Sequence, residues 1–141
     1  MTVDYSGELR PASMQSQPEP GVYPLVFDYR RPPISANSRF SHWSVKAKLV
    51  KEVRLASKML AARIPHMARV RVDLLWVVAD RRARDGGENL APTLKPMIDG
   101  LVDAGVVDDD DQAHVTRGTS LVEYRKGATP HMVLTVREVT Q

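Results

Sequence analysis

Two groups of carboxylates flank one apolar segment of the chain. Asp85 and Glu88 precede it, and Asp108, Asp109, Asp110 and Asp111 follow it. Like charges gathered in this way repel one another, and the arrangement becomes favourable when a divalent cation lies among the oxygens. Hard oxygen ligands suit Mg2+, with Mn2+ as the alternative; such ions bind through a few carboxylates and keep several waters. An ion of this kind generates a nucleophilic hydroxide and neutralises charge on a phosphoryl group in the transition state. Lys95 stands between the two groups, seven residues after Glu88 and four before Asp99, positions that share one face of a regular helix. A lysine there either relieves repulsion through an ion pair to Asp99 or contacts a scissile phosphate or leaving oxygen, and the two roles are compatible. Other readings of the same residues stay open: a run of four aspartates also suits a solvated loop, and Asp85-Gly86-Gly87 also suits a turn. The run lacks the central glycine and closing glutamate of an EF-hand.

The elements that must hold these residues follow from hydrophobic pattern and breakers. Val22 to Tyr29 reads as a strand, with Pro24 at its start or on a sheet edge. Arg30 to Phe40 reads as a loop, because prolines and the Ser-Ala-Asn-Ser run block regular structure. Ser41 to Arg63 carries apolar residues at three- and four-residue steps (Trp43, Ala47, Val50, and Leu49, Val53, Ala56, Leu60), which predicts a helix with Trp43 in the core. Ile64-Pro65 stops it. Val70 to Val78 is rich in β-branched residues and predicts a well-buried strand. Asp80 to Gly87 is a charged loop. A second helix is predicted over Leu90 to Ala104, capped by Asn89, with Pro96 bending it or delaying its start and Gly105 ending it. His114 to Lys126 and Pro130 to Val139 read as two strands joined as a hairpin through Gly127-Ala128-Thr129. The order β-α-β-α-β-β predicts a single α+β domain, one mixed sheet with two main helices, over residues 21–141. Residues 1–20, polar and without periodicity, are expected to form a flexible tail.

The chain has 141 residues, 43% hydrophobic and 26% charged, which suits one domain with an ordinary polar surface. No apolar run approaches the ~18–20 residues of a membrane span, and Met1 to Glu19 lacks the pattern of a secretory signal, so no membrane partner and no secretion are expected. The absence of cysteine excludes disulfides, thiolate metal sites and a thiol nucleophile within this chain. His42, His66, His114 and His131 show no metal-ligand spacing, although His114 lies close to the acidic run. The formal net charge of +3 is unevenly divided. Residues 30–84 hold fourteen bases against three acids, and residues 85–111 hold one base against eight acids.

Residues 82–112, RARDGGENLAPTLKPMIDGLVDAGVVDDDDQ, resemble the signature of RusA-type Holliday junction resolvases. Asn89-Leu90, the Lys95-x-x-x-Asp99 step, Gly100-Leu101, Ala104-Gly105-Val106 and Asp109-Asp110 stand in the family's order. The upstream stretch PPISANSRFSHWSVKAKLVKEVR is similar to the family's N-terminal segment, in which an asparagine, here Asn37, precedes a basic helix. Two departures are visible. The family has one residue between its first two acids where this chain has Gly86 and Gly87, and its second acid is usually Asp where this chain has Glu88.

The resemblance implies a RusA-like fold and a Mg2+-dependent endodeoxyribonuclease that cuts Holliday junctions and other branched DNA during recombination or repair, leaving a 5′-phosphate and a 3′-hydroxyl. By position it implies Asp85, Glu88 and Asp110 as metal ligands and Lys95 as the lysine that assists phosphodiester cleavage, with Asp109 as an auxiliary or structural neighbour and Asn89, of the matching Asn-Leu pair, as a candidate auxiliary residue. It also implies a homodimer, whose two-fold axis would match that of a four-way junction, and a cytoplasmic protein encoded by a bacterium or phage. The basic half then has a use in phosphate neutralisation: Lys51, Arg54 and Lys58 on the first helix, and Arg81, Arg82 and Arg84 beside the acids, are candidate DNA contacts. The helix stripe is equally an ordinary solvated face. The Gly-Gly insertion and Glu88 motivate an alternative, a non-catalytic RusA-like protein that binds branched DNA without cutting it. A third reading is an interaction module whose acids are only surface.

Overall fold

A computed structural model of the chain describes residues 19–35, 42–82, 84 and 87–140, with the side chains of Gly87 and Glu88 outside the description. The proposed tail up to residue 18, and Asn37, lie outside the described residues.

The chain is an α+β domain with a four-stranded mixed sheet and two helices. Strand β1 is Val22–Phe27, helix α1 Trp43–Leu60 and strand β2 Val70–Val78. A 3-10 turn, Gly87–Leu90, leads into helix α2, Ala91–Asp103, and strands β3, Val115–Tyr124, and β4, His131–Glu138, complete the order. The strands lie in the sequence β1-β4-β2-β3; β4 is antiparallel to both its neighbours, and β2 and β3 are parallel. Helix α2 is therefore the crossover of a β-α-β unit, the only economical way to bring two parallel strands side by side.

Cross-strand rows explain the layers. Leu25 faces Leu134, which faces Leu74; Phe27 faces Met132; Val136 faces Val72. All are buried, and they form one core with Val53 of α1 and Leu94, Met97, Ile98 and Leu101 of α2. The intervening residues point to the opposite face. There Val26, Val133, Leu75 and Leu121 stand opposite one another in a row across all four strands, with Val26 and Leu121 more than half exposed.

The predicted hairpin is not formed. A turn does occur at Lys126-Gly127, where Gly127 has φ of 78° and Ala128 donates to the Arg125 carbonyl. It carries the chain past β2 so that β4 inserts between β2 and β1. Burial accounts for the exchange. Met132, Leu134 and Val136 of β4 are all fully buried, which demands a central position, whereas β3 buries only Val115 and takes the polar edge. A turn sequence specifies reversal and leaves the pairing partner to burial.

Three expectations about the helices are corrected. Trp43 is 77% exposed, because it opens α1 where that helix overhangs the core. The face of α1 that is buried centres on Val53 and Ser57, with Leu49, Val50 and Ala56 beside them, while Leu60 is exposed. Asn89 is not the cap of α2: it lies inside the 3-10 turn, and the N-cap is Leu90, without a side-chain cap. Pro96 does not delay the start of helix α2, which begins at Ala91 with a proline in its first turn and continues past Pro96, whose side chain is buried in the packed face. Packing there outweighs the loss of one helical hydrogen bond.

Thr93 ties the segment after β1 to α2. Its buried hydroxyl donates to the Ile34 carbonyl and accepts from the Ile34 amide at 3.2 Å, while Trp76 Nε1 donates to the Arg30 carbonyl at 3.1 Å. Ile34 is itself buried in the core. Thr93→Val keeps the shape and orphans two buried backbone groups, so we expect a loss of roughly 2–4 kcal/mol in a denaturant titration. A loss below about 0.5 kcal/mol would show that this bond pair is dispensable.

Candidate functional site

The acidic loop after α2 folds back along that helix. Gly105 takes a φ of 82°, which a glycine adopts without strain, and Val106 and Val107 then bury themselves in the core. The aspartates that follow are held by separate partners. Asp108 pairs with His66 Nε2 at 3.0 Å, Asp109 accepts from the Asp110 amide at 2.7 Å, and Asp111 accepts from the His114 ring at 2.6 Å and its amide at 3.1 Å. The run is thus a structured return.

Asp110 meets Lys95. The Lys95 ammonium donates to Asp110 Oδ2 and, one helical turn on, to Asp99 Oδ1 at 2.8 Å. These two carboxylates hold the lysine pKa above its ordinary value, and Lys95, with help from Asp109, holds Asp110 below the usual carboxylate range. Both are charged across the neutral range. The lysine side chain is half exposed and the two carboxylates less so. Lys95 stands about 6 Å along the axis from the start of α2, close behind the 3-10 turn that carries Glu88. Asp85 lies outside the described residues, as does the carboxylate of Glu88. Among the described residues, no three carboxylates or imidazoles are placed to hold a metal ion. Of the three carboxylates expected to hold a metal ion, only that of Asp110 lies among the described residues, and it is paired with Lys95. Asn89 is half-buried in the 3-10 turn and hydrogen-bonded or otherwise engaged there.

The basic residues divide into engaged and open. Arg54 forms a two-point pair with Asp103 of α2, Nε to Oδ2 at 2.5 Å and Nη2 to Oδ1 at 2.8 Å, which clamps the two helices together. That contact raises the Arg54 pKa and lowers that of Asp103. Lys51 and Lys58 are exposed on the same helix. In the loop after β2, Arg84 is mostly covered and turned inward. Nη2 reaches Asp80 Oδ1 at 2.9 Å, Nη1 the Arg82 carbonyl at 3.0 Å, and the guanidinium lies 5.1 Å from the Trp76 ring centre. Asp80, which also accepts from the Arg82 amide at 2.9 Å, is driven below its usual pKa first by that amide and then by Arg84. Arg84 shapes the loop, and Arg81 and Arg82 are left exposed on it.

Arg81 and Arg82 edge an open groove of about 410 Å³ at the ends of the parallel strands β2 and β3, floored by Val78, Val122 and Tyr124. Arg81 lies 4.6 Å from the centre of the Tyr124 ring. The groove sits outside the carboxyl ends of parallel strands, where open sheets with crossover helices commonly take ligands. Nothing in the spacing of Tyr124, forty-three residues after Arg81, marks it as a partner of that loop; only the parallel register, which sets Val78 opposite Tyr124, does so.

His114 offers a direct check on the return loop. The hydrogen bond that the His114 ring donates to Asp111, and the charges of Asp111, Asp108 and Asp109, raise its pKa above the ordinary 6.5, and Asp111 is correspondingly lowered. The favourable pair is present while the imidazole is protonated and is lost as pH rises through the raised His114 value. The His114 ring signal in a proton NMR titration is expected to turn over above pH 6.5, with Asp111→Asn bringing it back down. A midpoint below 6.5 in the unsubstituted protein would contradict this loop geometry.

Compared with models of known protein families, the chain matches none, and no curated protein is significantly similar to it in sequence. Among the described residues, no helix is long and apolar enough to cross a membrane.

Proposed function

We propose that this chain is a magnesium-dependent endonuclease of the RusA type that cuts branched DNA, four-way junctions foremost. The observation that carries the reading is the return of Asp110 to Lys95 across fifteen residues. These are the two positions that the motif assigns to a metal ligand and to a phosphodiester contact. An ammonium has three donors. Asp99 and Asp110 take two, which orients the third toward solvent for a phosphate oxygen. Asp99 is on this reading a positioning residue, and the raised Lys95 pKa keeps the donor charged at the pH of the reaction.

A hard, partly exposed carboxylate on Asp110 suits magnesium, Asp85 and Glu88 complete the proposed ligand set, and Asp109 is its auxiliary neighbour. When bound, the ion supplies a more acidic water and charge neutralisation at the phosphoryl group. Exposed Lys51, Lys58, Arg81 and Arg82 then supply phosphate contacts along the strand. The apolar row Val26, Val133, Leu75 and Leu121 supports a homodimer formed through the face of the sheet turned away from the helices.

A second reading, a RusA-like protein that binds branched DNA without cutting it, is favoured by the ion pair itself, since Lys95 already neutralises Asp110 without a metal ion. One assay separates the two. Synthetic four-way junction and linear duplex are incubated with the protein in magnesium and in EDTA. The nuclease reading expects magnesium-dependent cleavage of the junction that Asp110→Asn abolishes. Tight junction binding without cleavage selects the second reading, and equal indifference to both DNAs removes both.

A further inference from the structure

The groove at the ends of β2 and β3 has features that phosphate neutralisation alone does not require. A cation meant only for phosphate needs no aromatic partner and gains nothing from a floor of Val78 and Val122. Here Arg81 is laid against the Tyr124 ring, and Tyr124 keeps 37% of its surface exposed. The loop that presents Arg81 is fixed by Arg84, which is stacked on Trp76 and bonded to Asp80, so the exposed arginine is presented from a prepared position. Among the described residues neither Arg81 nor Arg82 forms a side-chain ion pair; Asp80, which also lines the groove, is engaged by Arg84 and by the Arg82 amide. Apolar floor, aromatic ring, guanidinium and a second cation beside them are the parts of a site for a planar, apolar-faced group attached to an anion. A nucleotide is such a group.

We infer that the groove seats one unpaired nucleotide of the DNA, its base stacked on the Arg81–Tyr124 pair and its phosphate reached by Arg82. Stacking on a protein side chain is open only to a base that has left the duplex stack. The groove therefore reads a base that has been unpaired or extruded where the DNA branches, a feature that bare phosphate contacts do not detect. The inference rests on the nucleic-acid part of the function proposed above and names the feature of the substrate that is recognised. The groove's volume lies within the ~300–1,000 Å³ of ordinary small-ligand pockets, a size that suits a single nucleotide.

The test uses the full chain and fluorescence anisotropy in EDTA, so that cleavage plays no part. The probes are a short labelled single-stranded oligodeoxynucleotide and a strand of the same length with abasic residues at its centre. The unsubstituted protein is expected to bind the intact strand about tenfold more tightly than the abasic one. Arg81→Ala and Tyr124→Leu should each remove most of that preference, and Tyr124→Phe should retain it. Circular dichroism of each variant checks that the fold is kept, and Arg81→Ala, at an exposed position, serves if Tyr124→Leu does not fold. Equal affinity of the unsubstituted protein for the two strands overturns the inference, as does a folded Arg81→Ala variant with the preference intact. A protein that shows the base preference in EDTA and never cuts a junction in magnesium removes the nuclease reading and leaves the groove; one that cuts and shows no preference does the reverse.

Discussion

On the proposed nuclease reading, Lys95→Ala is expected to slow single-turnover cleavage of a four-way junction by roughly 10²–10³-fold, the scale of losing one donor aimed at transition-state charge. Junction binding in EDTA should change by less than about tenfold, since one phosphate contact among many is removed. Stability should change little. The Lys95 side chain is half exposed, and an ion pair in that setting contributes only about 0–1 kcal/mol. A large loss of rate, a small loss of affinity and a nearly unchanged melting point together are the pattern of a residue acting on the reacting phosphate. Lys95→Arg sharpens the test: it keeps the charge between Asp99 and Asp110 but replaces a compact ammonium with a planar fork, so it should restore little of the rate. A cleavage rate for Lys95→Ala within about threefold of the unsubstituted protein would remove Lys95 from the chemistry and leave it as a counter-ion of the acidic loop.

The pairing of Lys95 with Asp99 was the most legible contact of the candidate site. Lys95 and Asp99 share a helix, so their four-residue step fixes their contact. The partnership of Lys95 with Asp110 depends on a chain reversal, and Gly105 followed by Val106-Val107 carries that reversal in plain residue types: a positive-φ glycine and two valines that must be buried. The arginines were legible as charge and illegible as roles. Nothing in the order of Asp80, Arg81, Arg82 and Arg84 tells which guanidinium turns inward. That is decided by Trp76, whose ring lies beneath Arg84, and by the Asp80 carboxylate, which lies within reach of Arg84. Arg54 reads as one member of a basic stripe, and its pairing with Asp103, forty-nine residues away, appears only when α1 and α2 pack.

The elements of the fold were legible for a similar local reason, and the topology was not. The strand over Val70–Val78 follows from its β-branched residues, and both helices follow from their apolar repeats. The pairing of β4 is a contest among sheet positions. Only the relative burial of Met132, Leu134 and Val136 against the polar alternation of Thr116 to Ser120 decides it. An extra residue in β3 marks that edge: the register with β2 shifts between Val72 and Leu74, and Asp73 accepts from the Thr119 amide at 2.7 Å and its hydroxyl at 3.0 Å. An edge strand accommodates such a bulge with less disruption than a central one.

Gly100→Ala is expected to destabilise the protein by about 2–4 kcal/mol, against the sign that helix propensity alone would give. In an isolated helix the change is favourable by about 1 kcal/mol. Here a Cβ on Gly100 would stand 2.5 Å from the Arg54 carbonyl oxygen and from Ser57 Cβ, and 2.9 Å from the Lys58 amide nitrogen. Two of these atoms are α1 backbone, which cannot rotate away as a side chain can. The helices must separate by roughly an ångström to restore ordinary contact. Two bonds that cross the same interface would stretch with them: the buried hydrogen bond from Ser57 Oγ to the Met97 carbonyl at 2.6 Å, and the Arg54–Asp103 pair. The first leaves buried polar groups unsatisfied and is the larger loss. The melting point should fall by roughly 5–15 °C. Lys95 and Asp99 lie on the helix that shifts, so on the nuclease reading cleavage should fall as well, which Ser57→Ala, a change that loses the hydrogen bond without forcing the helices apart, should not reproduce to the same extent. A Gly100→Ala protein melting within about 2 °C of the unsubstituted one would show that α1 and α2 do not approach this closely.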